Sequence, residues 1–166
     1  MISGGRHPYE ESTPVLEEFL KAAGHKVAVT EDAGVLADAS GMGQYDALVF
    51  NTLREGETTL TKHEQSGMKD FISSGGGFVC LHISGCVPDS WPEYRDLTGG
   101  GWVTGESFHP PYGKMTVNVT DPSSPGAEGI SDFETSDELY MGVDLAPGSD
   151  VFITADGEEG THPWRG

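Results

Sequence analysis

Short apolar runs alternate with amphipathic helical segments along the first half of this chain, and this alternation limits the fold more than any other feature. The predicted strands cover residues 2–5, 26–30, 46–52 and 78–81. The third has a continuous apolar centre, which is typical of a parallel strand buried on both faces. Strands that alternate with helices form a parallel sheet with right-handed crossovers. The sequence therefore predicts an α/β layer structure.

Two helices are predicted between these strands. Thr13 is placed to cap the first, with Pro14 at its first position and Gly24 at its end. Thr61 and Glu64 have the spacing of a capping box for the second, which stops at a run of three glycines before the last of these strands. Both helices carry an apolar stripe along one face.

The second half of the chain has a different pattern. Residues 114–120 alternate apolar and polar side chains as a half-exposed strand does, and residues 138–143 and 151–154 are further short strand candidates. No internal repeat, linker or low-complexity tract separates the halves. The sequence predicts one domain over residues 1–166 with a β-rich second half.

The charge balance excludes two classes of partner. The chain has 9 Lys+Arg against 27 Asp+Glu, a formal net charge of -18. Nucleic acids and anionic membranes need clustered basic side chains, so neither is expected as a partner. The two cysteines, Cys80 and Cys86, are too few for a disulfide framework. With no signal peptide and no apolar run of membrane-spanning length, a cytoplasmic location is expected.

The acidic, lysine-poor composition predicts that salt stabilises the fold. The chain contains five lysines, Lys21, Lys26, Lys62, Lys69 and Lys114. Salt at molar concentration screens charges beyond about 3 Å and so removes the repulsion among surface carboxylates. We expect the melting temperature to rise as KCl is added, as for a protein from a halophilic source. A melting temperature that stays level or falls with KCl would contradict this adaptation.

The segment Cys80-Leu81-His82-Ile83-Ser84 has the layout of a nucleophile elbow, a sharp turn at the end of a strand. Such a turn needs small residues two before and two after the exposed residue. Cys80 and Ser84 are those small residues, so His82 is the exposed one. An imidazole there can act as general acid or base or as a metal ligand. Three other segments are expected at the same edge or near it: residues 5–9, residues 52–57 and the loop around His109.

These residues belong to a larger ordered set of motifs that resembles the ThuA-like (trehalose utilisation) family, a branch of the class I glutamine amidotransferase-like fold. The set comprises Gly4-Gly5-Arg6-His7, Tyr45-Asp46, the run from Gly75 to His82, Trp91, Tyr94, Leu97, Gly99-Gly100, Phe108-His109-Pro110, Asp137-Glu138-Leu139-Tyr140 and Pro163-Trp164. The sequence departs from the family pattern in two places: the first strand is short, and the family's C-terminal strand does not follow Pro163-Trp164.

The resemblance implies a three-layer flavodoxin-like fold, a mostly parallel sheet with helices on both faces. It implies a role in the use of trehalose or related disaccharides and keto-glycosides, with a small-molecule sugar as substrate. A histidine stands where amidotransferases carry cysteine, so a cysteine-dependent amidotransferase is not expected. His82, His109 and Glu138 are the implied catalytic groups. Arg6, His7, Asp137 and Tyr140 are the implied substrate contacts.

Two functions remain open at this stage. The first is a hydrolase or lyase that uses His82 as general acid or base, and the second is a non-catalytic sugar-binding or regulatory module on the same fold. Metal binding is also open, because two histidines and a carboxylate (His82, His109, Glu138) suffice for zinc or manganese. The sequence does not name the sugar, the bond or the oligomeric state, and a homo-oligomer is among the alternatives.

Overall fold

The computed structural model describes residues 1–157, so the sequence motif at Pro163-Trp164 lies outside the described residues. The chain divides into two compact units, Met1–Trp91 and Pro92–Gly166. The fold is mixed α/β, with helices and a parallel sheet of three strands in the first unit. This agrees with the predicted fold class at the level of α/β.

The first unit is built on a parallel sheet in the order β1-β2-β3. The strands are β1 (Ile2–Gly5), β2 (Ala47–Leu53) and β3 (Gly77–Cys80). Parallel pairing aligns Ile2 with Phe50 and Phe50 with Cys80. Leu48 is 4% and Phe50 is 2% exposed, so these apolar residues of the central strand lie in the core, as their sequence pattern predicted.

Helix α1 (Tyr9–Ala22) begins earlier than predicted. Thr13 does not cap it but lies within it, where its hydroxyl is hydrogen-bonded to the Ser3 hydroxyl and accepts from the Asn51 side chain. Pro14 also lies inside the helix rather than at its first position. The start at Tyr9 is favoured by two glutamates in the first turn, where carboxylates interact well with the helix dipole. The prediction of a helix was right, and the prediction of its first residue was wrong.

The remaining helices of the first unit follow β1, β2 or β3 along the chain. They are α2 (Ala39–Met42), α3 (Lys62–Ser73) and the 3-10 helices Ala33–Ala37, Gly56–Thr58 and His82–Gly85. The capping box predicted at α3 is present, since the Thr61 hydroxyl accepts from the Glu64 N–H and the Glu64 carboxylate accepts from the Thr61 N–H. Helix α3 packs against α2 and the first 3-10 helix, with Met68 and Leu36 fully buried.

Residues 26–30 do not form the predicted strand. Their contact with β1 is an isolated parallel bridge between Ile2 and Thr30, with the Ser3 N–H donating to the Thr30 carbonyl at 3.0 Å. The neighbouring contacts lie at the start of the chain, where the Met1 amino group donates to the Ala28 carbonyl at 2.6 Å and the Thr30 N–H donates to the Met1 carbonyl at 3.1 Å.

The described part of the second unit contains two small antiparallel sheets. Strands β4 (Gly100–Gly101) and β7 (Asp144–Leu145) form one, and β5 (Gly113–Val119), β6 (Phe133–Asp137) and β8 (Ile153–Gly157) form the other in the order β6-β5-β8. Helix α4 (Tyr94–Thr98) and the 3-10 helix Pro125–Ala127 complete the elements of this part.

Strand prediction in the second half was partly right. Strand β5 lies within one residue of the predicted 114–120, whereas β8 is displaced from the predicted 151–154. The predicted strand at 138–143 is wrong, since β6 ends at Asp137 and the following segment contains only an isolated bridge at Met141. The apolar residue Leu139 in that segment is nevertheless buried with Val117 and Ala155. Its burial, without regular pairing, explains why the segment has the apolar pattern of a strand.

Candidate functional site

His82 stands at a sharp turn directly after β3. Its φ is +51°, and no other non-glycine residue within 1–157 has a positive φ. Left-handed backbone costs a residue with a Cβ roughly 1–2 kcal/mol, so the surrounding structure must hold it. The 3-10 helix begins at the same residue, and the His82 side chain is exposed. The predicted strand-to-helix turn between Cys80 and Ser84 is therefore present, with an imidazole at its apex.

The imidazole of His82 contacts the imidazole of His7. The ring centroids are 5.1 Å apart and the ring planes cross at 80°. His7 follows β1 and His82 follows β3, and β2 lies between these two strands, so the two loops meet across the carboxyl end of the central strand. Tyr9, at the start of α1, contacts His7 at a centroid distance of 5.5 Å. Ligands of open α/β sheets bind at this edge.

Buried hydrogen bonds fix the strand ends beneath the two histidines. The Thr52 hydroxyl donates to the Gly4 carbonyl at 2.8 Å, which joins β2 to β1. The Thr52 N–H donates to the Ser84 hydroxyl at 2.8 Å, which joins β2 to the turn after β3. Because these bonds are shielded from water, breaking one leaves a buried polar group unsatisfied. The loops that carry the histidines are thus anchored to the central strand.

Two further ionisable groups near this edge are poorly suited to proton transfer at neutral pH. Burial, together with the nearby Glu55 carboxylate, raises the pKa of Cys86 to about 11. Burial, together with Cys86 and against the Ser84 hydroxyl, raises the pKa of Tyr9 to about 12. Imidazole is the side chain that ordinarily exchanges protons near neutral pH. The two histidines are therefore better candidates for such chemistry than the Cys86 thiol or the phenol.

The raised pKa of Cys86 predicts slow alkylation. In a Cys80→Ser variant, Cys86 is the one thiol left in the chain. Since thiolate is the reactive form, its reaction with iodoacetamide should be slow near neutral pH and accelerate about tenfold per pH unit up to about pH 11. The same variant unfolded in urea should react as an ordinary thiol with a pKa of about 8.5. A plateau at that ordinary value in the folded protein would contradict the assignment.

Arg6 lies beside this edge and is paired with a carboxylate. Its Nη1 donates to Glu55 Oε1, which joins the loop after β1 to the loop after β2. The side chains are 74% and 44% exposed, and exposed pairs contribute about 0–1 kcal/mol to stability. The pair therefore matters less for stability than for position, because it holds the guanidinium of Arg6, the residue that precedes His7. Sequence reasoning placed segment 52–57 at this edge but did not single out Glu55.

Arg54 is a second residue that sequence reasoning missed. Its Nη2 donates to the Ser3 carbonyl at 3.0 Å and to the Glu31 carbonyl at 2.7 Å. Burial lowers the pKa of Arg54, although nearby carboxylates act in the opposite direction. The side chain joins the end of β2 to β1 and to the segment that precedes the first 3-10 helix. Its only sequence signal was its position just after a buried strand.

The second unit brings together a different group of the predicted site residues. Phe108 and Met141 form an isolated antiparallel bridge, with N–H to carbonyl distances of 3.0 and 2.8 Å. In antiparallel pairing, the residue after one partner faces the residue before the other, so His109 lies opposite Tyr140. Their rings are stacked, with centroids 5.8 Å apart and planes at 28°.

Trp102 completes an aromatic cluster, defined here as Trp102, His109 and Tyr140. Its ring centroid is 4.9 Å from that of Tyr140 and 5.9 Å from that of His109. The indole and the phenol are half-buried, and the imidazole is exposed. Trp102 follows β4 directly and was not among the predicted site residues, because a single tryptophan after a glycine run carries no specific signal.

Glu138 adds a carboxylate to the aromatic cluster. Its Oε2 is 3.9 Å from His109 Nε2. Leu139 is buried in the apolar core of this unit, and alternation along extended backbone turns its neighbours Glu138 and Tyr140 to the opposite side. Asp137 differs, since its Oδ1 accepts the Glu138 N–H at 2.9 Å and its side chain is exposed. The structure thus groups His109, Glu138 and Tyr140.

Within 1–157, no three His, Cys, Asp or Glu side chains are grouped in a way that could hold a metal ion. Every helix in the same range is too short or too polar to cross a bilayer.

The parallel strands of the first unit, with an imidazole at the turn after β3, define an α/β protein that carries a histidine at the carboxyl edge of its sheet. The chain belongs to the ThuA family, described as trehalose utilisation, whose sequence profile matches residues 2–165. This membership confirms the resemblance found in the motifs and supports a role in carbohydrate utilisation. No curated protein matches the chain.

Two crystal structures are similar to this fold. A ThuA-like protein from Parabacteroides merdae gives a TM-score of 0.78 at 20% identity, over 99% of this chain and 71% of that chain. A ThuA-like protein from Bacteroides uniformis gives a TM-score of 0.65 at 18% identity, over 89% of this chain and 60% of that chain. At these identities the similarity establishes the fold alone, and the chain spans less than two thirds of the second protein.

Proposed function

We propose that this protein is a carbohydrate-processing hydrolase or lyase in which His82 acts as general acid or base. The observation that carries the proposal is the imidazole held at positive φ after β3, against the ring of His7. A strained backbone at the end of a strand is a common device for exposing a reactive side chain. Imidazole can take a proton from a sugar hydroxyl or give one to a leaving oxygen near neutral pH.

The neighbouring residues have complementary proposed roles. His7 packs edge-on against His82 and limits the orientations of that ring. Arg6, held by Glu55, directs a cationic group to the same edge, where it can donate hydrogen bonds to substrate oxygens. The raised pKa of Cys86 is an argument against a thiol mechanism. The remaining predicted groups, His109, Glu138, Asp137 and Tyr140, lie in the second unit and are proposed as sugar contacts.

The finer fold and cellular context are also proposals. A three-layer flavodoxin-like arrangement of the amidotransferase type, with helices on both faces of the sheet, is supported by the parallel order β1-β2-β3 and the family membership. A small-molecule sugar is the proposed partner, with neither nucleic acid nor membrane, because the net charge is -18. Cys80 and Cys86 are thiols rather than a disulfide, which suits the proposed cytoplasmic location.

The test is incubation of the purified chain with trehalose and with 3-keto-disaccharides, with and without divalent metal. Product formation, followed by NMR of the sugar anomeric protons, is the expected result. Thermal stabilisation by a sugar without any product would instead indicate a sugar-binding or regulatory module. If none of these sugars gives a product or stabilises the protein, the result contradicts the proposed function.

A further inference from the structure

The aromatic cluster and Glu138 form a group that proton transfer at His82 does not require. We propose that Trp102, His109, Glu138 and Tyr140 are a sugar-binding subsite of the second unit, which takes two neighbouring hydroxyl groups and one apolar face of a neutral pyranose ring. The inference rests on the carbohydrate role proposed above, and it is independent of any chemistry at His82.

The ring of His109 is held by a hydrogen bond to the backbone. Its Nδ1 lies 2.8 Å from the Pro110 carbonyl oxygen. A carbonyl oxygen only accepts, so Nδ1 carries a proton and Nε2 is the nitrogen that faces Glu138. The Nε2 to Oε2 distance of 3.9 Å exceeds the 2.7–3.2 Å of ordinary N–H···O bonds. The pair therefore retains capacity for a ligand.

Nε2 of His109 and the Glu138 carboxylate form a pair of polar groups that one ligand can contact together. The carboxylate accepts hydrogen bonds, and Nε2 accepts in a neutral imidazole and donates in an imidazolium. A hydroxyl group both donates and accepts, so neighbouring hydroxyl groups on a sugar ring match the two groups side by side, with each oxygen about 2.8 Å from its partner. A simple alcohol has one hydroxyl group and would pair with only one of the two.

The aromatic rings and the carboxylate of this group decide which class of ligand it takes. The C–H face of a pyranose is apolar, and burying it against aromatic rings is favourable by about 25 cal/mol per Å². The aromatic cluster provides such rings, with Trp102 and Tyr140 still partly exposed. Glu138 places a carboxylate at this position, and it would repel a phosphorylated sugar. A neutral sugar is therefore the ligand class.

The experiment measures binding without turnover. In a His82→Asn background, calorimetric titration with trehalose and with methyl α-glucopyranoside should give saturable binding. Glu138→Ala and Trp102→Leu should each weaken it by about tenfold or more, the loss expected for a charged hydrogen bond or a stacking partner. Saturation transfer from protein aromatic protons to the sugar C–H protons should be lost in Trp102→Leu.

Matched controls come from the same unit. Glu134→Ala removes an exposed carboxylate on β6, and Tyr112→Leu removes an aromatic ring that is 69% exposed. Both should bind sugar as the parent does. If Trp102→Leu lowers the melting temperature, the exposed His109→Leu replaces it in the comparison.

The outcomes separate this inference from the proposed function. The subsite is overturned if the parent protein binds neither sugar saturably. It is also overturned if the control variants weaken sugar binding as much as Glu138→Ala and Trp102→Leu do. Binding that depends on the aromatic cluster, in a protein whose unmodified form gives no product, would support the subsite and contradict the enzyme.

Discussion

His82→Asn should lower the rate of sugar processing by at least about a hundredfold while the protein stays folded. Positioned general acids and bases contribute about 10²–10⁴-fold to enzymatic rates, and asparagine cannot exchange a proton near neutral pH. The measurement is the initial rate of product formation under conditions in which the unmodified chain is active. Because His82 is exposed, its replacement leaves no cavity in the core.

Asparagine suits position 82 because the backbone there is left-handed. His82 has φ of +51°, and asparagine tolerates this region better than most residues with a side chain. The melting temperature should therefore match that of the unmodified protein, so a loss of rate reports chemistry. His25→Asn is the matched control, since His25 is exposed in the same unit and has no proposed role. A rate for His82→Asn close to that of His25→Asn would remove His82 from the mechanism.

Local signals in the sequence were enough to predict the central strands, the second helix and the turn at His82. The Thr61–Glu64 box depends on residues three apart, and β2 owes its burial to a continuous apolar run. The turn at His82 follows from small residues on both sides of one position. Each of these features is set by neighbours along the chain, so the sequence contains the information directly.

Features that depend on distant residues were not predicted. Thr13 has the composition of a helix cap, but the Ser3 and Asn51 side chains bond to its hydroxyl inside α1. Residues 26–30 have a strand-like pattern but pair with β1 through an isolated bridge. In each case the deciding partner lies elsewhere in the chain, and a local pattern cannot show it.

The same distinction applies to the site. The sequence singled out His7 and His82 separately, but only the parallel order of the sheet brings their rings together across β2. Glu55 and Trp102 were missed because a glutamate in an acidic chain and a lone tryptophan are unremarkable until Arg6 and Tyr140 are seen beside them. Predicting the chemistry of single residues was therefore easier than predicting the groups they form.

Gly67→Ala should destabilise the first unit by about 3 kcal/mol or more, although alanine favours a helix by about 1 kcal/mol over glycine. Gly67 lies in α3, and a Cβ there would stand 1.8 Å from the Leu36 carbonyl oxygen. That oxygen belongs to backbone and cannot turn aside as a flexible side chain does. Helix α3 and the 3-10 helix at Leu36 would have to separate, which would open the contact that buries Met68. The measurement is the free energy of unfolding from urea denaturation.

Ser66→Ala is the matched control for this prediction, because Ser66 is the exposed neighbour in the same helix. It gains the helix propensity of alanine without the clash, so its stability should rise slightly or stay level. Equal stabilities for the two variants would show that α3 and the 3-10 helix are not in close backbone contact. The comparison also sharpens the test of His82. Gly67→Ala should reduce sugar processing only in proportion to the folded fraction, whereas His82→Asn should reduce it in fully folded protein.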